Sequence, residues 1–378
     1  MNYYKQNEPL CGAFNVHEHV DWDKRILVTP TNYATHWQTP LEVQQLLRSY
    51  DVDVSDIMKS NDLSKTGSSH IRCDSLAIFV WFDKSNTSNA KGYYDSDDAQ
   101  NFYNKIWAGE DELFHVGRYD LLTSEEKNVF PIEQQIRRAE ELHELELMNK
   151  IRHYCLPSSE TNFGLRVVDL GCGYGSLLRR LYKEGMIWKG TGVDISLKMC
   201  KEARKRNQIV AASNTIEILE QSYLQISVGN ESVDVVISMD SLLHVGPERQ
   251  RAVIKEVYRM LRPGGWMIFS DIMQNDNADS NEMQPIYDRL NLSNMGTISN
   301  YKSALEENGF ANFTTDLHSD NISKHYGHVL DITQKKGHEI GLSDTYIKKA
   351  EVGLKVWKEN SPGNIVWGII AAQKTNKI

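Results

Sequence analysis

Residues 165–182 constrain the fold more than any other stretch. An apolar run from Leu165 to Leu170 breaks into glycines at alternate positions, Gly171, Gly173 and Gly175. Leu177, Leu178, Leu181 and Tyr182 then recur at helical spacing until Gly185. The order reads strand, glycine turn, helix, which opens a doubly wound α/β domain and puts the ligand at the strand's C-terminal end. Glycines at that turn let a ligand come close to the backbone.

The rest of the chain extends this unit. Trp188 to Ile195 reads as a second strand ending at Asp194, with Ser196 capping a helix over Leu197 to Arg206. Thr215 to Leu219 and Val233 to Ser238 read as the third and fourth strands. Pro247 starts a helix carrying Val253, Ile254, Val257 and Leu261. Pro263-Gly264-Gly265 stops it before a fifth strand, Trp266 to Asp271, and Asn312 to Asp316 and Ile365 to Ala372 read as closing strands. The expected fold is α/β: a doubly wound, Rossmann-like sheet with a helical lid or cap and an N-terminal extension.

Upstream, Ile136, Ala139, Leu142, Leu145, Met148 and Ile151 recur every third residue, a long helix read as a structural lead-in to the sheet. Residues 93–119 interleave Tyr93, Tyr94, Phe102, Tyr103, Trp107, His115 and Tyr119 with acids. Phe102 and Ile106, four apart, read as core, whereas Trp107 to Asp111 and His115 to Gly117 read as a lid over a ligand. Nearer the N-terminus, Thr39-Pro40-Leu41-Glu42 reads as a helix start, 74–82 as a buried strand or short helix, and 84–91 as a linker. The expected division is an extension over 1–90, a lid and lead-in helix over 91–155, and a ligand-binding domain over 156–378. Within that domain a substrate cap is expected at about 274–310 and 320–362.

Composition narrows the function. A net charge of −9 and 25% charged residues without a basic domain disfavour nucleic acid. No apolar run is long enough to span a bilayer, and the first residues lack a signal-peptide core. Five scattered cysteines without a CxxC pair suggest neither a disulfide frame nor a zinc ribbon, so a reduced, cytoplasmic enzyme is expected. His17, Glu18 and His19 are read as a surface cluster, and no metal is assigned.

The glycine spacing argues against a dinucleotide, whose fingerprint is GxGxxG, because Ser176 follows Gly175 here. Asp169, two residues before Gly171, suits an ammonium rather than phosphate. Asp194, at the end of the second strand, suits ribose hydroxyls. A ligand with an amine and a ribose but no phosphate is S-adenosylmethionine. On these residues the chain resembles the class I S-adenosylmethionine-dependent methyltransferases over roughly 93–378. Asp169 to Gly175 matches the first motif and Gly192-Val193-Asp194 the second. Ser222-Tyr223 stands at the usual adenine contact, with Ser222 in place of a frequent Asp. Ser238 to His244 and Leu261 to Gly265 match later motifs.

A narrower resemblance is to sarcosine/dimethylglycine N-methyltransferases. It is carried by Tyr94 to Ala99, Phe102-Tyr103, Trp107 to Asp111, His115-Val116-Gly117, Gln284 to Arg289, Met295-Gly296, His325-Tyr326 and Trp367-Gly368. Ala108, where that group usually has Gly, and extra residues before His115 depart from it. The resemblance implies methyl transfer to a small amino-acid-like amine, toward glycine betaine. It implies cofactor contacts at Asp169, Gly171, Gly173, Asp194, Ile195, Ser222, Tyr223, Asp240, Tyr94 and Trp107. Substrate contacts fall to Arg289, His115, Met295 and Tyr326, and Arg289 suits a carboxylate. His244, His115 and Tyr103 are the catalytic candidates, and Tyr94, Tyr103, Trp107 and Trp367 offer aromatic faces to a methylated cation, core packing being the stronger reading for Trp367. Phosphobase, sulfur or carbon acceptors, a nucleotide-dependent oxidoreductase and a non-catalytic cofactor-binding regulator are the alternatives, and a homodimer is left open.

Overall fold

The computed structural model of the 378-residue chain describes residues 26–29, 37–38, 68–73, 76–81, 97–107, 113–156, 164–290 and 292–375. The chain divides into two compact units, 1–88 and 89–378. In the first, strands β1 (Ile26–Thr29), β2 (Trp37–Gln38), β3 (Ser68–Cys73) and β4 (Leu76–Trp81) form an antiparallel sheet in the order β2-β1-β4-β3. The segment at 74–82 therefore contains a strand rather than a helix. The helix start at Thr39, the linker at 84–91, the His17–His19 cluster and Tyr94 lie outside the described residues.

The second unit opens with a short helix, α1 (Asp97–Phe102), that widens into a π turn over Tyr103–Trp107. Helix α2 (Ser124–Val129) starts with a capping box between Thr123 and Glu126. The long helix α3 (Ile132–Cys155) follows. Then come β5 (Leu165–Leu170), α4 (Ser176–Lys183), β6 (Ile187–Asp194), α5 (Leu197–Ile209), β7 (Ile216–Glu220), β8 (Val233–Met239), α6 (Gly246–Met260) and β9 (Leu261–Gln274). Two helices, α7 (Ser280–Leu290) and α8 (Ile298–Glu307), precede β10 (Phe310–Leu317). Helices α9 (Asp320–Lys336) and α10 (Asp344–Asn360) precede the last strand, β11 (Ile365–Lys374).

The sheet order is β10-β11-β9-β8-β5-β6-β7. Strands β5 to β9 pair in parallel, while β11 runs antiparallel to both neighbours. Alternating side chains go to opposite faces, as the two-residue strand period requires. Val235, Ile237 and Ile268 pack in one core with Leu147, Met148 and Leu178. Val236, Met267 and Phe269 pack in another with Val253, Ile254 and Val257. Each fully buried aliphatic side chain contributes roughly 1.5–3 kcal/mol, so the double-sided parallel strands hold the unit together.

One boundary differs from expectation. Strand β9 begins at Leu261 and runs through Pro263-Gly264-Gly265, with a register irregularity between Val233 and Val235 on its partner. The prolyl-glycyl segment is absorbed as a bulge at the strand's start rather than ending the pairing. A third apolar core lies over the strand ends and joins Phe102, Tyr103, Ile106, Trp107 and Tyr119 to Met283, Tyr287, Met295, Tyr326, Trp357 and Trp367.

Candidate active site

The turn after β5 is built from left-handed glycines: Gly171, Gly173 and Gly175 have φ of 75°, 52° and 76°. At Gly171 a side chain is excluded twice, by that φ and because a Cβ would lie 2.6 Å from both the Tyr223 hydroxyl and the Ser241 Cβ. The Gly173 N–H donates to Asp194 Oδ2 (3.0 Å) and the Ser196 N–H to Oδ1 (2.8 Å), so the carboxylate at the end of β6 braces the loop. Ser196 caps α5 by accepting from the Met199 N–H. Ile195 beside it is half-buried.

Asp169 lies at the base of this loop, 4% exposed. Burial, and then the Glu144 and Asp194 carboxylates, push its carboxyl up to about 8. A buried acid among other acids, beside a backbone cradle, is the complement of a cationic ligand. The loop therefore fits a cationic S-adenosyl donor, with Asp169 at its base, Asp194 beside it, and Ser222 and Tyr223 beyond β7. Ser222 Oγ accepts from the Leu224 N–H (3.3 Å), and the Tyr223 hydroxyl pairs with Ser241, which the sequence reading did not single out.

The lid reaches this loop through aromatic contacts. Trp107 and Tyr103 rings lie 5.7 Å apart, Tyr103 and Phe114 5.7 Å, and Phe114 and Tyr174 4.8 Å. Asp240, after β8, binds the lid and the sheet edge together. Its Oδ2 accepts from the Val116 N–H (2.8 Å), and its Oδ1 accepts from Ser270 Oγ and Trp367 Nε1 (2.8 Å each). Both oxygens are thus engaged within the protein, and Trp367 is fully buried beneath the lid.

Arg289 and His244 come together. Burial, and then the Arg289 charge, lower the His244 imidazole to about 4. Arg289 is seated against the backbone of α10, where a Cβ on Gly353 would overlap its guanidinium. Met295 is fully buried and its N–H donates to Gln274 (2.9 Å). Tyr326 stacks on Trp357 at 5.3 Å with 9° between the rings, and its edge meets Trp107 at 5.5 Å.

Helix α3, read from the sequence as a structural lead-in to the sheet, also buries polar side chains on its inner face. Glu140, His143 and Glu144 are each 0% exposed in the middle of its apolar stripe. Their sequence neighbourhood, rich in Glu and Arg, looks like a solvated helix, and only the three-to-four spacing with Ile136, Ala139 and Leu147 signals otherwise. Glu144 accepts from Ser176 Oγ (2.8 Å), at the first turn of α4, and pairs with Arg180 Nε (2.8 Å). His143 lies between the His115 ring (5.3 Å) and the Trp367 ring (4.6 Å). His325, also unpredicted as a site residue, shares a hydrogen bond with the Tyr119 hydroxyl (3.0 Å) and meets Trp107 at 4.8 Å. Burial holds His143 and His325 neutral, far below the usual imidazole value. Trp107 Nε1, His115 Nε2, His325 Nε2 and both His143 nitrogens are buried without a hydrogen-bond partner. Buried polar atoms are nearly always satisfied, so such a group marks where a polar ligand belongs.

Glu146, Asp316 and His318 also lie close enough to share a cation, but Arg118 and Lys150 already pair with the two carboxylates.

A methyltransferase-domain family profile matches residues 167–265. The sarcosine/dimethylglycine N-methyltransferase of Halorhodospira halochloris is 33% identical over 297 residues, covering 78% of this chain and 98% of that protein. The enzyme of the same name from Aphanothece halophytica is 32% identical, covering 75% and 96%. In three dimensions, a crystal structure described as a sarcosine dimethylglycine methyltransferase from Galdieria sulphuraria superposes with a TM-score of 0.66 at 28% identity, over 76% of this chain and all of that one. The chain belongs to the sarcosine/dimethylglycine N-methyltransferase family of S-adenosylmethionine-dependent enzymes.

Proposed function

We propose that this chain methylates the nitrogen of sarcosine or dimethylglycine, toward glycine betaine. One observation carries the choice of acceptor: a fixed guanidinium, Arg289, acts on His244 at the strand ends, under an aromatic lid. A carboxylated amine matches that pair of environments, its anion on the Arg289 fork and its methylated nitrogen against aromatic faces. The family's named substrates have this form.

The bound donor supplies a methyl group already activated by the positive sulfonium. The protein's part is alignment and exclusion of water. Asp169 and Asp194 hold the donor at the glycine loop. Val116, tied to Asp240, keeps the lid down beside it. Tyr103, Trp107 and Tyr326 close an apolar wall around the reacting nitrogen. Desolvation in such a wall disfavours an ammonium that still carries N–H bonds relative to the amine, the form with a lone pair to attack, and the aromatic faces attract the cation that forms as the methyl arrives.

Methyl transfer from radiolabelled donor is expected to dimethylglycine and sarcosine, and not to phosphoethanolamine. Arg289→Leu is expected to raise KM for the carboxylated amines by about tenfold or more, the scale of one lost charged hydrogen bond, and to leave KM for simple secondary amines nearly unchanged. Equal effects on both classes would rule the clamp out.

A further inference from the structure

The amine that attacks must first lose a proton, and the geometry around His115 indicates where it goes. His115 is 5% exposed. Its Nδ1 lies 3.1 Å from the Val116 carbonyl oxygen, an acceptor only, so Nδ1 carries the hydrogen and Nε2 presents the lone pair. Nε2 has no hydrogen-bond partner, and it lies 3.9 Å from Glu144 Oε1. That separation leaves the lone pair available and still places a fixed negative charge beside it. Glu144 is held by Ser176 and Arg180, and it is 0% exposed.

We propose that His115 Nε2 accepts the ammonium proton of the methyl acceptor, and that Glu144 is the positioning carboxylate that stabilises the imidazolium. The proposal rests on the amine-methylation reading above. The ammonium N–H bond breaks and its electron pair stays on nitrogen, while the proton forms the Nε2–H bond. Glu144 stays ionised throughout, and the proton passes to water once product has left. The methyl then moves as the S–C bond gives its pair to sulfur and the N–C bond forms.

Four other titratable side chains and two fixed cations surround this pair. His143 on α3 and His325 on α9 are buried and neutral, so neither competes for the proton. Asp240 also acts on His115, but both its oxygens already accept hydrogen bonds. Arg179 and Arg180 face Glu144 with the opposite charge, Glu144 in turn raises Asp169, and burial of Glu144 is outweighed by His115, Arg180 and Ser176, which hold it below the usual carboxylate range. A carboxylate kept ionised in a buried place can offset a transient cation at 3.9 Å.

The test is a comparison of the full chain with Glu144→Gln and Glu144→Asp. One arm follows kcat against pH with dimethylglycine. The other follows the His115 ring signal by NMR, assigned from its disappearance in His115→Gln. Glu144→Gln is expected to lower kcat by about tenfold or more, with KM for the donor within about threefold. The His115 ring signal, compared at one pH, is expected to shift in Glu144→Gln, with the acid limb of the kcat profile changing alongside it, and Glu144→Asp to restore most of both. Ser176→Ala, which loosens the same carboxylate, should shift the ring signal in the same direction by less, and it serves if Glu144→Gln does not fold. A ring signal unmoved in these variants overturns the proposal whether or not amines are methylated. A ring signal that moves in a chain that methylates no amine overturns the functional reading and, with it, the proton step.

Discussion

Asp169 is a carboxyl group kept from water at the place where a ligand's ammonium is expected, and its behaviour can be stated with a sign. Burial first, and then the Glu144 and Asp194 carboxylates, raise it to about 8. Because the folded value lies above the ordinary 3.8, its ionisation opposes folding as pH rises from about 4 to about 8. An arriving ammonium reverses that preference and drives the proton off. Donor binding at pH 7 is therefore expected to release most of one proton, measured by titration calorimetry in buffers of different ionisation enthalpy. Affinity should tighten by up to about tenfold per pH unit between pH 6 and 7.5. Asp169→Asn should bind more weakly, with no such slope. Its place was legible in the sequence, since an acid two residues before a strand-end glycine falls at the end of β5. Glu144, which helps to raise Asp169, was harder to read: it sits in Glu140-Glu141-Leu142-His143-Glu144, where the apolar spacing marks the inward face but not the partner waiting there. That partner is Ser176, 32 residues further on in the first turn of α4.

At the scale of elements, the parallel strands were readable because double-sided burial demands unbroken apolar runs: 233–238 was expected where Val233–Met239 is found. The lid was readable as aromatic but not as to how tightly it sits on α3. The contact is made through backbone. The Arg118 N–H donates to the Ala139 carbonyl (2.8 Å), and a Cβ at Gly117 would lie 2.6 Å from Ala139 Cβ and 2.7 Å from the Glu140 nitrogen. Two backbones meet there, so nothing flexible can yield. Gly117→Ala is expected to destabilise the chain by about 1–3 kcal/mol, read from urea unfolding, because the lid segment must lift from the helix. Activity should fall further than donor affinity. Lifting Val116 breaks the hydrogen bond to Asp240 and moves His115 away from Glu144, while the glycine loop keeps its own bonds to Asp194. A variant of normal stability and rate would show that this contact does not fix the lid.

For the whole molecule, the residues assigned to donor, acceptor and proton all fall within 89–378, one of the chain's two compact units. That unit holds the seven-stranded sheet and the cores on both its faces, and a core of that size is sufficient for independent folding. Among the described residues, the strands of each sheet pair within their own unit. About three quarters of this chain matches nearly the whole length of the relatives. A chain starting at residue 89 is therefore expected to unfold in one cooperative transition and to bind the donor within about threefold of the full chain. Its kcat with dimethylglycine should follow the same pH profile. If the shorter chain binds donor normally yet loses turnover or changes its preferred amine, residues 1–88 act on the acceptor side of the site. If it loses donor binding as well, the 89–378 unit does not stand alone.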